Sequence, residues 1–95
     1  MAVKAQNKTV TTAPAILVTG NDFNGVAAML RNNTATASVW VGGPDVAAGA
    51  TPANAFEWKA ADPPLTVDLI PGEDLWAVLA TGGANQTVAV LATRQ

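Results

Sequence analysis

From Leu65 to Leu91 the chain leaves itself length for little except strands and tight turns. Leu65-Thr66-Val67-Asp68-Leu69 alternates without fault, so Leu65, Val67 and Leu69 share one face and Thr66 and Asp68 the other. Pro71-Gly72 follows and suits the centre of a type II turn, because proline presets φ at the second position and glycine accepts positive φ at the third. Leu75 to Ala80 is apolar on both faces. Gly82-Gly83-Ala84-Asn85 turns the chain, and Thr87 to Ala92 returns as a second run that is nearly apolar on both faces. A segment with this cadence forms consecutive antiparallel strands.

Upstream, the same cadence is looser. Ala15 to Thr19 is a short β-rich run, and Gly20-Asn21-Asp22 is a turn cluster. Gly25 to Arg31 has helix-favouring Ala, Met and Leu, but turn residues bound it too closely for an ordinary helix, so a strand is expected. Val39-Trp40-Val41 is a strand that Gly42, Gly43, Pro44 and Asp45 are expected to end. Glycine admits positive φ there, proline fixes one turn position, and aspartate bonds its own backbone. Between Ala47 and Pro64 one strand is expected, Ala55 to Lys59, with Phe56 and Trp58 on one face and Glu57 and Lys59 on the other.

Met1 to Ala13 is polar and threonine-rich without a helical period, and Pro14 restricts what precedes it. Residues 1–13 are therefore expected as an extended polar arm, with pairing at its end left open. Residues 14–95 are expected as one all-β domain, a small antiparallel β-sandwich or barrel-like fold of six to eight strands.

Composition narrows function more than it defines it. A chain of 95 residues without cysteine or histidine has no disulfides, no thiol nucleophile and none of the commonest metal ligands. Such a short chain has a thin margin of stability, and oligomerisation or docking is the remaining support. Lys4, Lys8, Arg31, Lys59 and Arg94 are scattered, and the net charge is −2, which disfavours nucleic acid as a partner. No apolar run approaches the ~18 residues of a membrane-spanning helix. The first residues lack the apolar core of a signal peptide, so synthesis in a cytoplasm is expected. Only 13% of residues are charged, against about 25% in typical domains, so much of the surface is Thr, Asn, Ala and Gly.

Candidate chemistry is sparse. An acyl-transfer triad needs a base, normally histidine. The acids Asp22, Asp45, Asp62, Glu73 and Asp74 stand beside turn residues, while Glu57 and Asp68 face outward on strands, a pattern that shapes turns and keeps a surface solvated. Asn21, Asp22 and Asn24 lack the spacing of a calcium loop. Gly42-Gly43 and Gly82-Gly83 open no helix and so cradle no phosphate. No catalytic residue, cofactor or metal is expected. Trp40, Trp58 and Trp76 could offer sugar-stacking faces, although tryptophan more often fills a core or a subunit contact. The two-sided strands leave Trp76, Val78, Ala89 and Leu91 on faces where water is normally met. Either the Ala47–Pro64 segment covers them or another chain does, and thin stability favours the latter. Phe56, Trp58, Trp76, Val78 and Leu91 are accordingly the candidate interface residues.

One resemblance emerges. Val39-x-Val41-Gly42-Gly43-x-Asp45-Val46, then Leu65-x-Val67-Asp68-Leu69, Gly72-Glu73, Leu75-Trp76-Ala77-Val78 and Val88-x-Val90-Leu91, resembles small virion proteins of tailed bacteriophages. It covers about residues 25–93 and departs from that pattern at Gly49 to Pro64, where the connection is longer. The resemblance implies a capsid decoration or cementing protein, made in the host cytoplasm and placed on the capsid exterior. Its partners would be the major capsid protein and further copies of itself, a trimer among the options. The alternatives are a neck, tail or fibre-associated component, and a carbohydrate-binding module for a host glycan.

Overall fold

Eight strands carry the chain: β1 (Val3–Val10), β2 (Ala15–Thr19), β3 (Val26–Asn32), β4 (Val39–Ala47), β5 (Ala53–Trp58), β6 (Leu65–Leu69), β7 (Asp74–Val78) and β8 (Gln86–Arg94). The computed structural model describes residues 3–20, 26–60 and 62–94. The turn expected at Asn21-Asp22, and Asn24 with it, lie outside the described residues. Two antiparallel sheets form, in the orders β1-β8-β3-β6 and β2-β7-β4-β5. β1 pairs β8, β2 pairs β7, β3 pairs β6 and β4 pairs β5, which is the pattern of one long hairpin rolled upon itself. The additional pairs β3·β8 and β4·β7 close each sheet. The strand order is that of an eight-stranded jelly roll, one form of the β-sandwich.

The core lies between the sheets. β3 alternates strictly, with Val26, Ala28 and Leu30 buried and Met29 and Arg31 exposed. Val88, Val90 and Ala92 of β8 and Val39 and Val41 of β4 join the same apolar cluster. Alternation on β6 survives as expected, with Leu65, Val67 and Leu69 turned toward that cluster. Both downstream turns are type II. Glu73 N donates to Ile70 O (3.1 Å) around Pro71-Gly72, and Gly83 N donates to Ala80 O (2.9 Å) around Thr81-Gly82. Gly72 and Gly82 hold φ of +92° and +85° at the third positions.

Two expectations give way. The separate polar arm is not confirmed, because residues 3–10 form β1 and pair with β8 along their whole length. Polar residues hid this strand. Gln6 stands opposite Val90 and Lys4 opposite Ala92, so polar side chains occupy the core-facing side of an edge strand, where water still reaches them. Nor do Gly42, Gly43, Pro44 and Asp45 end their strand. β4 runs on to Ala47, and the four residues take part in a bulge: pairing with β5 slips between Gly42 and Ala47.

Candidate interaction surface

The five candidate interface residues separate into buried and exposed sets. Trp58 is 3% exposed and Val78 fully buried, so neither can meet a partner. Trp58 points into the core from opposite Val39, and its indole N–H donates to Pro63 O at 3.1 Å. Trp76 is half-buried. Phe56 (68% exposed) and Leu91 (43%) remain at the surface. Ile70, Val3 and Met29 are exposed too, and the sequence pattern singled out none of them. Met29 alone carried a signal, as the outward position of an apolar run.

Val78 lies on the outer face of the β2-β7-β4-β5 sheet. Trp40 stands opposite Val78 and Gly42 opposite Trp76, all on the side away from the core. Val78 and Val46 are buried yet stand outside the main apolar cluster. The β4 bulge folds back over this face: a Cβ on Gly42 would lie 2.7 Å from Val46 Cγ2 and 2.6 Å from Asn54 O. Farther along, Thr81 N donates to Gly49 O (3.0 Å), holding the connection after β4 beside the β7–β8 turn. The long connection is thus tied to the β7–β8 turn by its own backbone. Gly42→Ala is expected to destabilise by about 1–3 kcal/mol, since one neighbour is backbone and cannot turn aside. Urea unfolding monitored by tryptophan fluorescence measures it.

None of the three tryptophans is exposed. The acids are mostly spent on local structure. Asp62 Oδ2 accepts from Lys59 N (3.0 Å) and Glu73 Oε1 from Ile70 N (3.0 Å), each closing a turn. Glu57 Oε2 accepts from Ser38 Oγ at 2.8 Å. Asp74 departs from the expected solvated turn residue: its Oδ1 is shielded from solvent and unpartnered, as is Trp76 Nε1, two residues on along the same face. Among the described residues no three acidic side chains converge as metal ligands, and no helix is long and apolar enough to cross a membrane.

The edges of the sheets differ in how they are protected. An edge strand presents unpaired backbone groups that invite another strand. β1 turns Lys4 and Lys8 inward, β2 is bulged between Ile16 and Val18, and β6 is five residues long and follows Pro63-Pro64. β5 has six residues, and at its middle Phe56, opposite Val41, points to the inner side of the sheet yet stays exposed. Charge on β5 is limited to Glu57, which faces the other way. The sandwich is therefore open along β5, with an aromatic ring at the opening.

Comparison with protein-family models, with curated proteins and with solved structures finds no match.

Proposed function

We propose that this chain is a bacteriophage virion structural protein that decorates or cements the capsid exterior, docking on the major capsid protein through the β5 edge. The observation that carries the reading is the β5 edge itself, an end strand of its sheet with Phe56 68% exposed. An uncovered aromatic on an open edge is an aggregation hazard in a free monomer and an anchor in an assembly. Two further facts support it. The turn-and-strand pattern of residues 25–93 resembles small virion proteins. The jelly roll is an architecture used by viral capsid domains, an analogy of fold and not of site. Lectins share that architecture, but the glycan-binding alternative needs open tryptophan faces, and Trp40, Trp58 and Trp76 are buried or half-buried.

The test is made on purified particles of the phage that encodes the chain. Mass spectrometry is expected to find it at a copy number that scales with the capsid subunits. A few copies per particle would move it to the neck, tail or fibres, and its absence would overturn the reading. Phe56→Ser is expected to stay within about 0.5 kcal/mol of wild-type stability, as surface substitutions do, and to lower co-sedimentation with particles at least tenfold.

A further inference from the structure

The other sheet offers a second surface, on the far side of the sandwich from the covered tryptophan face. On the outer face of β1-β8-β3-β6, one row crosses all four strands: Ala5 opposite Leu91, Leu91 opposite Met29, Met29 opposite Thr66. Met29 and Leu91 are 50% and 43% exposed and form a ridge across the middle strands. A shallow depression lies on either side of it. One of about 380 Å³ is lined in part by Ala5, Ala89 and Arg31; the other, of about 240 Å³, by Ala27, Thr66 and Asp68.

The described residues of this face carry two charges, Arg31 and Asp68, at opposite ends. Arg31 stands opposite Ala89 on one side of the ridge. Asp68 stands opposite Ala27 on the other, four residues back along β3, or about 13 Å. A two-fold axis lying across the strands at the ridge reverses the copy's strand direction. It sets ridge beside ridge and carries each Arg31 toward the Ala27–Asp68 end of the other chain. An axis along the strands leaves each charge at its own end, with no opposite charge to meet.

We infer that the outer face of this sheet packs on the same face of a second copy, forming a two-fold dimer centred on Met29 and Leu91. A two-fold contact must be self-complementary, and one charge of each sign at opposite ends of an apolar row meets that condition. Four strands about 4.8 Å apart give a face roughly 19 Å wide, which places the contact at or below about 1,200 Å² of buried surface, the range of exchanging partners. The dimer is therefore concentration-dependent. Its formation is independent of what the β5 edge binds, and the two readings fail separately because one test uses particles and the other does not.

Sedimentation of the full chain from about 1 to 500 μM is expected to show monomer passing to dimer. Met29→Lys is expected to weaken the dimer at least tenfold, with Leu91→Gln as the second variant should the first not fold. Arg31→Asp and Asp68→Arg alone are each expected to weaken it, and the double exchange to restore it, a rescue that a merely structural role would not produce. The inference is overturned if the wild type stays monomeric, if it forms trimers or larger species, if the dimer ignores the substitutions on the ridge, or if the double exchange is no stronger than the single ones.

Discussion

Gln86→Leu is expected to destabilise the chain by about 3 kcal/mol. Gln86 is fully buried at the start of β8. Its Oε1 accepts from Asn32 Nδ2 (3.2 Å), Thr36 N (3.1 Å) and Ala37 N (3.3 Å). Its Nε2 donates to Thr36 Oγ1 (2.9 Å) and Ala84 O (2.8 Å). One side chain thus ties the β3–β4 connection to the β7–β8 turn. Leucine fills a similar volume but leaves those donors and acceptors unpaired, at about 1–3 kcal/mol for each that stays buried. A loss of 3 kcal/mol corresponds to a fall in Tm of roughly 12–24 °C for a domain of this size. Thermal unfolding followed by circular dichroism measures it. Asn32 shares the network, donating also to Ala37 O (3.2 Å) and accepting from Ala35 N (3.0 Å), so the Asn32→Ala and Gln86→Leu losses should not add.

Trp58→Ala is expected to cost about 3–5 kcal/mol, while Phe56→Ala, two residues earlier on the same face of β5, costs no more than about 0.5 kcal/mol. The chemistry of the two side chains is similar and their surroundings are not. Trp58 is 3% exposed within the core cluster, and Phe56 is 68% exposed beside it. Truncating Trp58 removes buried surface and leaves a cavity; truncating Phe56 removes a ring that water already reaches. Urea titrations of both variants decide the matter, and equal losses would mean that Phe56 is covered in the free chain.

The same pair shows how far the sequence could be read. Alternation over Ala55 to Lys59 placed Phe56 and Trp58 on one face, and the structure keeps them there, both turned to the inner side of the sheet. Alternation reports a direction, not how far the opposite sheet extends, so it could not separate the covered ring from the open one. Val78 was out of reach for a similar reason. Its outward position was legible, but its burial is set by what packs on the outer face of the sheet, where alternation gives no information. The strand β1 escaped because three of its inward positions are Lys4, Gln6 and Lys8, polar residues that an edge strand tolerates, and only Val10 reaches the core. Gln86 sits beside a turn cluster, where a polar residue draws no notice, and its partners lie about fifty positions away in the chain.

Two-residue periodicity and the local φ preferences of proline and glycine were enough to read the all-β class, the positions of seven of the eight strands and the type II turn at Pro71-Gly72, while the second type II turn is centred on Thr81-Gly82, just ahead of the expected Gly82 to Asn85 cluster. The sequence by itself determined also that histidine and cysteine chemistry is closed to this chain. Which apolar outward residues are buried, and which stand open on the β5 edge and the Met29–Leu91 ridge, was settled in the tertiary packing. Burial is a property of what lies across a surface, and in a rolled hairpin what lies across is supplied by strands and loops far away in sequence.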